Sequence, residues 1–209
     1  MAPVALMPVA QRVNRGLRQV PTGVVWLGGL VPGGWLVWKL LNGQLGPDPL
    51  KPLEHGLGLH GLQFLIAALC VTPLMRATGV NLIRFRRALG VLGFLYAVAH
   101  LGVWLVLDIQ LRWGEILKDL TRRPYIMVGM LAFVLLVPLA VTSTNAALRR
   151  MGPVAWRRLH LLAWPATLAA AIHYMMVVKA WPPQPIVYLG IVLSLIVLRL
   201  ARVGRSLRS

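Results

Sequence analysis

The sequence predicts an all-α integral membrane protein, a six-transmembrane-helix bundle with both termini cytoplasmic. Three observations predict it. The chain is 58% hydrophobic, with a mean hydropathy of +0.72. Only 13% of its residues are charged, where soluble chains carry roughly a quarter, so too few polar side chains are present to cover a globule. Its apolar residues gather into six stretches of about 20 residues, the length that crosses a bilayer core. The opposing indication is a net charge of +17 and a pI near 11.8, which in a soluble protein suggests nucleic-acid binding. The positions of the cations decide against a nucleic-acid partner.

Taken in order, residues 1–19 form a cytoplasmic segment carrying Arg12, Arg15 and Arg18. The first span, Val20–Leu41, is too long for a signal-peptide core and no small-x-small cleavage site follows it, so it reads as a retained helix. Val31-Pro32-Gly33-Gly34 predicts a kink within it. The next spans are His55–Met75, Ala88–Leu107, Pro124–Val141, Leu159–Val178 and Pro185–Ala201. Pro73, Pro138 and Pro165 fall within or near the ends of these helices, where neighbouring helices satisfy the freed carbonyls. Residues 20–201 make one transmembrane domain, and 202–209 a basic cytoplasmic tail. The connectors hold the charge and much of the Pro, Gly and Asn; none is long enough for a soluble domain.

With the N-terminus inside, the inner segments hold fifteen of the 22 Lys and Arg residues and no acid. They are Arg12, Arg15, Arg18, Arg76, Arg84, Arg86, Arg87, Arg149, Arg150, Arg157, Arg158, Arg199, Arg202, Arg205 and Arg208. The outer segments hold Lys39, Lys51, Arg112, Lys118, Arg122, Arg123 and Lys179 together with all five acids, Asp48, Glu54, Asp108, Glu115 and Asp119. This asymmetry is the positive-inside pattern, and the inner excess favours anionic lipid. Trp38, Trp104, Trp113 and Trp181 fall at the outer boundary as an aromatic belt.

Few residues are left to carry chemistry. One cysteine, Cys70, excludes an internal disulfide, a CxxCH haem attachment and a cysteine-ligated cluster, and it reads as a small buried hydrophobe. No Gly-rich phosphate loop is present. The spans are nearly free of Asp, Glu, Lys and Arg but contain His60, His100 and His173, with His55 and His160 at span ends. Ionisable groups inside a membrane are functional candidates. His100 lies 13 residues beyond Arg87, roughly 20 Å up its helix, and His173 lies 15 residues beyond Arg158, roughly 22 Å up. At matched depth on two helices, they could each give an axial imidazole to a porphyrin. His160 sits roughly 20 Å below His173, so it implies an inner position or another role. A lone membrane histidine is otherwise an interhelical hydrogen-bond donor, the reading adopted for His60. His55, beside Glu54, is either a solvated loop residue or a contact for a haem propionate or a quinol. Zinc would need three converging ligands, and no such spacing occurs. Small residues crowd the third helix (Gly90, Gly93, Ala97, Ala99, Gly102) and the fifth (Ala163, Ala166, Ala169, Ala170, Ala171). They suit a macrocycle slot or simple close helix packing.

Several segments together resemble the MsrQ (YedZ) family within the ferric-reductase-like transmembrane superfamily. They are DPLKPLEHGLG and VTPL around the second span, RFRRALG and YAVAHL in the third, TRRPYIMVGM and LAVTSTNA bounding the fourth, and WRRLHLLAW, HYMMVVK and PQPIVYLG in the last two. The similarity spans nearly all of the chain after about residue 20.

The resemblance implies b-type haem, one or two per chain, with His100, His160 and His173 as iron ligands and His100 with His173 as the outer pair. Where the superfamily would place a partner for His160, near residue 86 or 87, this sequence has Arg. The resemblance further implies FMN, with no flavin site visible in the residues. It implies an inner-membrane electron-transfer subunit fed by the quinol pool or a cytoplasmic flavin reductase. Its electrons would pass to a periplasmic molybdenum-dependent methionine sulfoxide reductase, MsrP, where the sulfoxide chemistry resides. Two other readings stand beside this one: a stand-alone b-type cytochrome reducing ferric iron or quinone, and an anchor whose histidines only join helices. The outer segments Gly46–Glu54, Asp108–Arg123 and Trp181–Pro185 are the expected docking surface for the partner, with Glu115 and Asp119 as its contacts.

Overall fold

The structure is a computed structural model that describes residues 7–178 and 182–206, with side chains as far as Ala201. Lys179, Trp181 and Arg208, assigned above to the outer loop, the aromatic belt and the tail, lie outside the described residues. The chain divides into two compact units, Met1–Arg112 and Trp113–Ser209, each described by itself.

The first unit contains α1 (Met7–Gln19), α2 (Thr22–Leu41), α3 (Leu50–Thr78) and α4 (Arg86–Gly102). A 3-10 turn, Ile83–Phe85, leads into α4, and a π turn, Val103–Asp108, prolongs it. The second contains α5 (Trp113–Arg122), α6 (Pro124–Val141), α7 (Asn145–Leu159), α8 (Ala163–Val177) and α9 (Pro183–Ser206), with a 3-10 turn at His160–Leu162. Six helical segments among the described residues are long and apolar enough to cross a membrane. They are Thr22–Leu41, Leu50–Thr78, Ile83–Asp108, Pro124–Val141, Asn145–Val177 and Pro183–Ala201. Each overlaps one expected span, the fifth beginning 14 residues earlier than expected, at Asn145 instead of Leu159. Their outward faces carry large apolar side chains, such as Leu27 at 71% exposure and Val197 at 63%, which lipid solvates and water would not.

In the first unit α3 packs along α4, and α2 lies on both. The backbones of α3 and α4 approach closely where Gly61 faces Gly93. A Cβ on Gly93 would lie 3.2 Å from the Gly61 carbonyl oxygen, and one on Gly61 3.3 Å from the Gly93 oxygen. Gly93 is therefore a helix-packing residue, whereas Gly90 and Gly102 have no atom within 4 Å of a built Cβ. Leu53, Leu57, Tyr96 and Val103 form a buried cluster against which Leu36, Leu40, Leu45 and Phe64 pack.

Helix α2 continues through Val31–Gly34, and the disturbance expected there takes a specific form. The Tyr96 hydroxyl donates to the Gly29 carbonyl at 2.7 Å and accepts from the Gly33 N–H at 2.7 Å. Those two backbone groups are partners four residues apart in an uninterrupted helix. A phenol from α4 thus bridges the α2 ladder beside Pro32, whose missing N–H already weakens it.

In the second unit α8 packs against α6 and α9, burying Ala166, Thr167 and Ala171 almost completely. Thr167 turns its hydroxyl back to the Ala163 carbonyl at 2.7 Å, so its buried hydroxyl is paired. Helix α7 breaks at Gly152, with φ 77°, just before Pro153. The break divides the fifth segment, and His160 lies in the part that follows it.

Candidate functional site

Two helix hairpins present a histidine by the same local device. In the first, His100 on α4 reaches α3, and its Nδ1 lies 2.8 Å from the Glu54 carbonyl oxygen. In the second, His173 on α8 reaches α6, with Nδ1 2.7 Å from the Tyr125 carbonyl oxygen. A carbonyl only accepts, so Nδ1 carries the proton in both rings. The neutral imidazole then has its lone pair on Nε2, the nitrogen that binds metal when Nδ1–H is engaged in this way.

The match extends one helical turn further. Gly58 stands four residues after Glu54, and Gly129 four residues after Tyr125. A Cβ at Gly58 would lie 3.0 Å from His100 Nδ1, and one at Gly129 would lie 2.8 Å from His173 Nδ1. In both hairpins the ring lies against a glycine, in space a side chain would fill. The environments differ at the edges. The Glu54 carboxylate comes to 4.0 Å from His100 Nε2, while the Tyr125 ring lies tilted, 6.3 Å from the His173 ring.

His160 is held differently. Its Nδ1–H donates to the Trp156 carbonyl of its own helical segment at 3.0 Å. The ring stacks on Trp156 with centroids 3.7 Å apart, and Nε2 is 3.5 Å from the Ser143 hydroxyl. Trp156 is itself fixed by donating its indole N–H to the Thr142 carbonyl at 2.8 Å. His60 pairs with Gln63 at 2.9 Å and meets the edge of Tyr96. His55 is exposed in the second turn of α3. Cys70 is partly buried. Among the described residues no three His, Cys, Asp or Glu side chains converge as a metal cage. The donors on offer are single oriented imidazoles.

Helix α5 occupies a stretch whose sequence reads as a connector. It exposes Trp113 (72%) and Leu117 (66%) one turn apart, beside the Glu115–Lys118 pair at 3.6 Å. Asp119 points the other way: it is buried and bound by Arg123 at 2.9 Å. It is therefore a structural anion within its unit and not the exposed docking contact expected of it.

Comparison with known proteins bears on this site. A family model described as ferric reductase like transmembrane component matches residues 56–171, a stretch that includes His60, His100 and His160 and stops two residues before His173. Relatives from Brucella ovis, Brucella abortus strain S19 and Brucella melitensis biotype 2 are each named protein-methionine-sulfoxide reductase heme-binding subunit MsrQ. Each is 46% identical over 179 residues, covering 86% of this chain and 81% of the relative. No solved structure matches.

Proposed function

This chain belongs to the MsrQ family of ferric-reductase-like transmembrane proteins, and from that membership we propose that it binds b-type haem through His100 and His173. The family gives the broad role, an electron-transfer membrane subunit, and the six apolar helices with the family place it as a multi-pass protein of the bacterial inner membrane. The observation that carries the haem reading is the repeated device: a histidine Nδ1–H on a neighbouring helix carbonyl, with glycine against the ring.

The donor chemistry fits the group. Haem iron takes neutral imidazole at Nε2, and a backbone carbonyl on Nδ1–H fixes the tautomer and raises ligand basicity. Haem supplies one-electron redox chemistry, and with two imidazole ligands it lacks an open position for oxygen. The chain's own residues do the rest. Glu54 and Tyr125 orient the rings through their carbonyl oxygens, Gly58 and Gly129 leave them room, and the lipid-facing apolar side chains keep water from the spans. His160, stacked on Trp156, is the candidate ligand for a second haem.

In this reading the basic face is cytoplasmic and both termini lie there. Electrons enter on that side from the quinol pool or a cytoplasmic flavin reductase. They leave to MsrP, the periplasmic molybdenum-dependent methionine sulfoxide reductase, which docks on the acid-bearing loops and on the exposed Trp113–Leu117 face of α5. A stand-alone ferric or quinone reductase would turn over without MsrP, so partner-dependent turnover separates the two.

The deciding experiment is the visible spectrum of the purified chain with haem stoichiometry. A Soret band with split reduced α and β bands is expected, and the His100→Ala and His173→Ala variants should each lose most of it. A colourless protein, or full absorbance in both variants, overturns the assignment.

A further inference from the structure

Helix α1 is not part of the histidine hairpins, yet it is attached to them with some care. Asn14 donates its side-chain N–H to the Gly79 carbonyl at 2.9 Å and accepts the Asn81 backbone N–H at 2.8 Å. Arg84 closes the other end, donating to the Leu17 and Arg18 carbonyls at 3.1 and 2.9 Å. These are carbonyls of the last turn of α1, where the regular helical ladder ends; the Leu17 oxygen also accepts the Val20 N–H at 3.3 Å, and a guanidinium there complements the helix dipole. Four hydrogen bonds therefore fasten α1 to the turn between α3 and α4, at the end where α2 begins. A helix fastened there lies at the membrane boundary.

Its two faces suit that place. Ala10 is buried and Leu17 half-buried against the unit, while Met7, Val9 and Val13 remain exposed. Val9 and Val13 are one turn apart and share a face. Arg12, Arg15 and Arg18 are exposed, and no acid occurs in residues 1–47 or 55–107 to neutralise them. Exposed apolar side chains next to uncompensated cations are what an interfacial helix presents to a lipid surface.

We propose that α1 is an anionic-lipid-binding surface, inserting Val9 and Val13 into the acyl boundary while Arg12, Arg15 and Arg18 meet phosphate headgroups. The charge fixes the occupant as anionic phospholipid. Zwitterionic lipid would accept the apolar face but leave the cations without counter-charge. Each cation near an anionic leaflet is worth about a fivefold factor in binding, so three give a strong preference even after screening by salt.

The test uses the full chain in nanodiscs of phosphatidylcholine alone or with phosphatidylglycerol. Val13→Cys in a Cys70→Ser background carries an environment-sensitive fluorophore, and acrylamide quenching reads its burial. Burial should rise several-fold with phosphatidylglycerol, and high salt should reverse that rise. In Arg12→Gln/Arg15→Gln/Arg18→Gln the lipid dependence should disappear, and in the matching Arg→Lys triple it should persist. A label equally buried in both lipids, or a lipid response retained by the Gln triple, overturns the proposal. In the second case the cations serve a different occupant, such as a cytoplasmic protein. Label position is independent of haem content, so failure here is separable from failure of the haem reading.

Discussion

At the scale of single residues the histidines are held by unlike neighbours that do the same work. Glu54 and Tyr125 orient the rings through their main chains, so the same carbonyl geometry is kept although their side chains differ. Gly58 and Gly129 contribute by having no side chain. This makes them sharper probes of the site than the carbonyl acceptors, which no substitution removes. A methyl at Gly129 would come within 2.8 Å of the His173 ring, a separation the ring must relieve by moving. Disturbing a group that orients a metal ligand lowers metal affinity by about 10–100-fold, and Gly129→Ala is expected to weaken haem retention in that range and to shift the low-spin electron paramagnetic resonance signal. Gly58→Ala, with 3.0 Å, should do the same less severely. Gly90→Ala is the control, since nothing lies near its Cβ position. Haem titration of the three variants checks the series. Equal affinity and an unchanged signal in Gly129→Ala would remove glycine from the account of the site.

At the scale of elements, the Tyr96 bridge shows how α2 tolerates Pro32. Replacing Tyr96 by Phe keeps the ring in its cluster but strips the hydroxyl from between the Gly29 carbonyl and the Gly33 N–H. A buried carbonyl and a partly buried N–H then lose a partner within the span, at a cost of about 1–3 kcal/mol. Reversible unfolding in mixed micelles should show that loss for Tyr96→Phe; wild-type stability would mean that the ladder closes on itself. The same comparison separates what sequence makes legible from what it does not. Membrane-length helices are legible because length and hydropathy alone specify them. Helices α1 and α5 are short and amphipathic, and α7 is broken at Gly152, so in sequence all three read as polar connectors. His100 and His173 stand out because ionisable side chains are rare in apolar spans. Their carbonyl and glycine partners do not, because they depend on the register of one helix against another, which no local pattern records. The π turn at Val103–Asp108, directly after His100, is likewise set by packing and had no sequence signal. Asp119 shows the reverse case. Charge suggested an exposed contact, but the amphipathic turn of α5 directs it inward to Arg123. Asp119→Lys should therefore destabilise the second unit, whereas Glu115→Lys should weaken transfer to MsrP with the fold intact. Equal thermal stability in both variants would contradict that division.

At the scale of the whole molecule, the net charge of +17 acts as a vector rather than a sum. Soluble basic proteins spread or cluster cations to meet a polyanion; here the cations alternate by connector, gathering on every second one. Fifteen fall with no acid, and the remaining seven share their side with all five acids. Only Lys and Arg near span ends weigh on orientation, and on that count too the segments around Arg84–Arg87 and Arg149–Arg158 outweigh those around Lys39–Lys51 and Arg112–Arg123. The direction of electron flow depends on this, because the proposed acceptor is periplasmic and must find the α5 loop on its own side. Reporter fusions measure it directly. Alkaline phosphatase, active only after export, should be active when joined within Gly43–Gly46 or the α5 loop. It should be inactive when joined at Asn81, in α7 or after Ala201. Green fluorescent protein after Ala201 should fluoresce. The opposite pattern would place the acid-bearing loops in the cytoplasm, and a periplasmic acceptor could not then draw electrons from the α5 face whatever the histidines hold.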